Sequence, residues 1–133
     1  MTYSLPDAVG GPDRLLALMR SFYDRLYDDA MVGFFFLPHD KDSLVRSQID
    51  YVHAHLGDRQ GDYTGRPIRE AHEHLPILPG HFDRRHQILR ETLADFAVPD
   101  HVQADWIALD LAMRPMVLRQ GSAVRKKFTS PDE

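Results

Sequence analysis

The sequence predicts an all-α fold built as one domain. Apolar residues recur at spacings of three and four in four separate windows, which is the signature of amphipathic helices. No window shows the strict alternation that a half-buried strand requires. The length, 133 residues, is close to one domain at about 150 residues each, so a single core is expected.

Pro12 stands where a first helical turn tolerates a missing N–H. Leu15, Leu16, Met19, Phe22, Tyr23 and Leu26 follow on one face, which predicts a helix over 13–28. The run from Met31 to Pro38 is too apolar for a solvated loop, so Phe34, Phe35 and Phe36 are expected to lie against something buried. Asp40 or Asp42 can cap a second helix, in which Leu44, Gln48, Val52 and Leu56 stand four apart before Gly57 stops it. From Gly57 to Pro67, with Gly61 and Gly65, the pattern is lost and a loop is expected. A third helix begins near Pro79, with Phe82, Arg85 or His86, Leu89, Leu93 and Phe96 on one face. A fourth starts near Pro99-Asp100, carries Val102, Trp106, Leu109, Met113 and Val117, kinks at Pro115 and ends at Gly121. Residues 1–120 then form the domain and 121–133 a polar tail.

Composition narrows the function classes. With 43% hydrophobic and 27% charged residues the chain matches an ordinary globular domain. A net charge of -4 argues against a surface made to hold phosphate backbones, so nucleic acid is not an expected partner. The absence of cysteine excludes disulfides, thiolate metal sites and cysteine nucleophiles. No stretch approaches the ~18 apolar residues of a membrane span, and Met1 to Gly11 lacks a basic segment followed by an apolar run. A cytoplasmic protein without a membrane partner is expected.

Eight histidines are a large share for the length, and six fall between His53 and His86. His53 and His55 are two apart, as are His72 and His74, which on a helix points each pair to different faces. His72 differs from the others because Ile68 and Ala71 precede it and Leu75 and Ile77 follow, so it is either a hydrogen-bonded core residue or a ligand. His39-Asp40 is read as ending in a helix cap rather than as a hydrolase doublet. Two polar residues interrupt apolar faces: Tyr23 among Met19, Phe22 and Leu26, and Gln48 among Leu44, Val52 and Leu56. Each either finds a backbone carbonyl or points at a polar ligand held in an apolar pocket.

The diagnostic segments are Gly10-Gly11 with Leu15, then Ser21 to Leu26, Gly33-Phe34-Phe35, Leu44 to Tyr51, Tyr63 to Ile68, and Ala71 to Ile77 ahead of His81-Phe82-Asp83. In unbroken order over residues 9–118 they resemble the truncated haemoglobins, shortened globins with a two-over-two helical sandwich around haem. The resemblance implies that haem b is the cofactor and that His72 is its proximal iron ligand. It implies that Tyr23 and Gln48 are the distal tyrosine and glutamine, and that Phe35 packs on the porphyrin. Leu44 takes the place where vertebrate globins have a distal histidine, and Ile68, Ile77 and Phe82 touch haem. The distal side is most like that of the first subgroup. The chain departs from the pattern at Gly57-Asp58-Arg59, where many relatives have Gly-Gly-Pro, and at Arg85 and His86, where a tryptophan or apolar residues are usual. Arg85 is expected to reach a haem propionate or solvent, and neither it nor His86 to bind iron.

The function so implied is reversible binding of O2, NO and CO on the face opposite His72. A hydrogen bond to a charged acceptor contributes roughly 1.5–3 kcal/mol, so two donors slow O2 release. That points to O2 or NO chemistry, sensing or scavenging, with NO dioxygenation needing an external electron donor of unknown identity. Two alternatives stand beside it. One is a non-haem helical-bundle metalloprotein using three of His53, His55, His72, His74, His81 and His86. The other is a globin-like interaction module without haem.

Overall fold

The computed structural model describes residues 3–57 and 68–118. Among the described residues there are seven helices and no strand: α1 (Leu5–Ala8), α2 (Pro12–Asp28), α3 (Gly33–Phe36), α4 (Lys41–His55), α5 (Ile68–His72), α6 (Pro79–Asp95) and α7 (Asp100–Val117). The four long ones are the four expected. Pro12 and Pro79 open α2 and α6 in the first turn. Asp40 caps α4, its Oδ2 accepting from the Ser43 amide at 3.0 Å. Gly57, with φ 75°, follows the end of α4 in a left-handed conformation that only glycine adopts without cost. The remainder of the expected loop, 58–67, and the tail 121–133 lie outside the described residues. Helix α7 runs through Pro115 and stops at Val117, short of Gly121, with Leu118 extended. A proline removes one N–H from the helical ladder, which weakens the turn it closes.

Helix α2 packs on α4 and on α6, α6 packs on α7, and α5 lies against α7. This is a two-over-two arrangement, α2 with α4 and α6 with α7. Its core holds Trp106, Phe22, Phe82, Leu18, Met19, Leu26, Leu89 and Leu93, each within 2% of full burial. No helix among the described residues is long and apolar enough to cross a membrane.

Two expected faces are placed differently. The row Leu44, Gln48, Val52, Leu56 divides: Val52 and Leu56 join the core with Val45, whereas Leu44 and Gln48 are half-buried. A row of i, i+4 positions drifts around a helix of 3.6 residues per turn, so its two ends face different neighbours. Of the three phenylalanines in α3, Phe34 is 54% exposed while Phe35 and Phe36 are half-buried. Consecutive residues on a helix cannot all face inward.

Gly33 starts α3 against the end of α2. A Cβ there would lie 2.6 Å from the Tyr27 carbonyl oxygen, which is backbone and cannot swing aside. Gly33→Ala is therefore expected to cost about 1–3 kcal/mol and lower the urea midpoint. An unchanged midpoint would show that α3 can shift freely.

Candidate functional site

The helices enclose a cavity of about 360 Å³ lined mainly by apolar side chains. Helix α2 contributes Tyr23, α3 contributes Phe35 and Phe36, and α4 contributes Leu44, Ser47, Gln48 and Tyr51. The opposite part of the chain contributes Ala71 and His72 from α5, Leu75 and Ile77 after it, His81, Phe82 and Arg85 from α6, and Met113 and Val117 from α7. Thus His72, Tyr23, Phe35, Leu44, Gln48, Ile77 and Phe82, singled out from separate stretches of sequence, meet at one cavity. The side chain of Ile68 lies outside what the structure describes.

His72 stands at the C-terminal end of α5 with Ala71, Leu75 and Ile77 as fellow lining residues. His74 is exposed and does not line the cavity. His81 does line it, but its Nδ1 accepts the Leu78 N–H at 3.0 Å and closes the start of α6. His53 and His55 are elsewhere, the latter with Nδ1 2.8 Å from the Tyr51 carbonyl oxygen. Among the described residues no three His, Cys, Asp or Glu side chains converge to hold a metal ion. That gives the three-histidine alternative no site among them.

Tyr23 is 5% exposed, with its ring edge-on to Phe22 and Phe36 at 5.3 and 5.9 Å. Burial pushes its phenol up to about 12, and the charge of Arg85 works against that rise. The hydroxyl therefore stays protonated throughout the ordinary pH range and is available as a donor.

Of the two destinations expected for Arg85, a haem propionate or solvent, its side chain does not take the second: it lines the cavity and is 17% exposed. Its Nη1 donates to Asp110 Oδ1 at 2.6 Å, and its guanidinium carbon lies 5.2 Å from the centre of the Phe22 ring. The cause is Asp110, which is 1% exposed and offers a carboxylate inside the α6–α7 interface. His86 approaches the other oxygen of the same carboxylate, Nδ1 to Oδ2 at 2.7 Å. It is buried and is not part of the cavity wall. Burial works to raise the Asp110 carboxyl, but Arg85 and the His86 hydrogen bond more than offset it and hold it below the usual carboxylate range.

Sequence alone does not single out Asp110, because the apolar row expected for α7 passes through its neighbour Leu109. Asp110 stands four residues after Trp106 and three before Met113, which was the available signal. Asp110→Ala is expected to cost about 3–5 kcal/mol, since it leaves a buried guanidinium unpaired. A depressed folded-state pKa means that this stability is complete above the unfolded value near 3.9 and is lost as pH falls through the lower folded value. Urea unfolding from pH 7 to pH 2 checks this: wild type should weaken in that acid window more than Asp110→Ala does.

The cavity suits haem, a flat apolar plate whose iron needs a nitrogen ligand. It offers the His72 imidazole beside Ala71, Leu75 and Ile77, two aromatic rings from α3, the Tyr23 phenol from α2 and the Gln48 amide from α4.

Comparison with known proteins agrees with this geometry. The family model described as bacterial-like globin matches residues 4–115. The chain is 25% identical over 114 residues to the group 1 truncated hemoglobin GlbN of Mycolicibacterium paratuberculosis, covering 86% of this chain and 83% of that one. It is 30% identical over 96 residues to the group 1 truncated hemoglobin of Tetrahymena pyriformis, covering 72% of this chain and 78% of that one. The crystal structure of truncated hemoglobin from Tetrahymena pyriformis in its Fe(III) form superposes with a TM-score of 0.76 at 27% identity, covering 86% and 97% of the two chains.

Proposed function

The chain belongs to the bacterial-like globin family, and from that premise we propose a role for each wall of its cavity. The protein is a haem-binding globin that takes small diatomic ligands such as O2. In our reading His72 supplies the axial imidazole, Tyr23 and Gln48 face the diatomic ligand, and Phe35, Leu44, Ile68, Ile77 and Phe82 hold the flat cofactor. Bound haem supplies reversible gas coordination and one-electron chemistry. The observation that supports the assignment best is the meeting of His72, Tyr23 and Gln48 in one mainly apolar cavity.

The residues divide the work by their chemistry. An imidazole with apolar neighbours binds through its neutral form and keeps water from competing for its place. The Tyr23 phenol and the Gln48 amide donate hydrogen bonds to a ligand carrying partial negative charge, which retains O2 more than CO. Slow O2 release suits O2 or NO sensing and NO dioxygenation better than bulk transport. NO and CO are further ligands in this reading, turnover draws on a separate electron donor, and the protein works in the cytoplasm. Its globin domain is residues 1–120, with 121–133 a polar tail.

The reduced protein at neutral pH is expected to be mainly five-coordinate and to convert fully on adding CO. His86 is held at Asp110 and lies off the cavity wall, and Arg85 cannot lose its proton. A sharp six-coordinate ferrous spectrum that vanishes in His86→Ala would overturn the assignment and make O2 binding wait on histidine dissociation.

A further inference from the structure

The Arg85–Asp110 ion pair has its two ends in different places, and the assignment above does not use it. Arg85 lines the cavity, whereas Asp110 and the His86 that holds Asp110 from behind do not. We propose that Arg85 is a specificity-determining residue: its fixed positive end faces the bound ligand, so that the ferric protein favours small monovalent anions such as azide over neutral ligands. This rests on the reading that haem fills the cavity with Tyr23 on its ligand side.

The partners of Asp110 fix the direction of this dipole. Its Oδ1 takes Arg85 Nη1 at 2.6 Å, and its Oδ2 lies 2.7 Å from His86 Nδ1, so neither oxygen is free to turn toward the cavity. The carboxyl is 1% exposed and held below the usual carboxylate range, so it is charged at neutral pH. A guanidinium carries five donors and keeps its proton, and the bond to Asp110 Oδ1 occupies one of its nitrogens. The cavity therefore meets the guanidinium and not the carboxylate.

The surroundings of Arg85 favour the ligand over a haem propionate. Among the residues that line the cavity, His39 and Ser47 are the exposed ones and mark its mouth. Propionates are carboxylates and keep to that water, because burying a charge is costly. The charged end of Arg85 lies instead among buried groups, with Asp110 at 2.6 Å and its Cζ 5.2 Å from the centre of the fully buried Phe22 ring. The Tyr23 ring stands 5.3 Å from that same Phe22 ring, so the charge and the phenol share one neighbour. In mainly apolar surroundings a charge is screened less than in water, and an anion gains more from it.

The test titrates azide into the ferric haem-loaded protein and CO into the ferrous one, and haem into the apoprotein, for wild type, Arg85→Leu, Arg85→Lys and Arg85→Leu/Asp110→Asn. Arg85→Leu should weaken azide binding roughly tenfold or more, the worth of one hydrogen bond to a charged group, and leave CO nearly unchanged. Arg85→Lys, which keeps the charge and loses the fork, should fall between. If Arg85→Leu fails to fold because it strands a buried carboxylate, the double variant removes both charges, leaves His86 an amide oxygen as partner and should show the same loss of azide. Wild-type azide affinity in Arg85→Leu or in the double variant would overturn the proposal. So would an equal loss of azide and CO, which would mean that the cavity had been reshaped. Weaker haem binding with azide affinity intact would overturn it too, by placing Arg85 on a propionate. A wild type that binds no haem, or O2 release unchanged in Tyr23→Phe, would instead overturn the underlying reading, so the two failures are distinguishable.

Discussion

His72→Gly is expected to purify nearly colourless and to regain much of its visible spectrum when imidazole is added. Of the three histidines that line the cavity, His39, His72 and His81, it is the one set among Ala71, Leu75 and Ile77 on the wall. Losing an outer-shell partner of a metal ligand typically costs 10–100-fold in affinity, so losing the ligand itself should cost at least about that much. Glycine leaves a hole of imidazole size, which is why the free base should restore binding. The substitution should leave the four long helices intact, because His72 is half-buried on the five-residue α5 and is absent from the main core. Haem titration of the apoprotein, followed at the Soret band with and without imidazole, checks this. A wild-type spectrum in His72→Gly together with its loss on replacing His74 would mean that the register is displaced.

Tyr23→Phe is expected to accelerate O2 dissociation by roughly ten- to more than a hundredfold, since ~1.5–3 kcal/mol of hydrogen bonding to a charged acceptor is lost. CO carries less negative charge and should respond less. The substitution keeps the ring that packs against Phe22 and Phe36, so a change in the rate reports on the hydroxyl rather than on the fold. With the phenol pushed up to about 12, wild-type release should not vary with pH across the neutral range through this group. Stopped-flow release that is identical in wild type and Tyr23→Phe would remove Tyr23 from the ligand's environment.

The boundaries that could be read from sequence were those set by local stereochemistry. Pro12, Asp40, Pro79 and Gly57 act through one turn of backbone, and each stands where its residue type predicts. The cavity residues were legible for a different reason. Tyr23, Gln48 and His72 are polar groups set among apolar ones, and such interruptions need a partner. The Asp110–Arg85–His86 cluster was not legible, because its three polar side chains lie on two helices and become neighbours only when α6 packs on α7. Read alone, Arg85 is an amphipathic side chain with a route to water, and Asp110 is an ordinary charged residue in the middle of α7. Phe34 shows the converse: a run of three aromatics suggests a continuous buried wall, but the helical turn directs one of them to solvent.

The most direct test of the central claim, that this cavity holds haem with one face open to a gas, is an optical spectrum of the purified protein, reduced and then exposed to CO. The account predicts one haem per chain, a five-coordinate ferrous form, and a complete shift of the Soret band on CO binding. A colourless protein carrying stoichiometric zinc, or a colourless metal-free protein that binds no added haem, would contradict it.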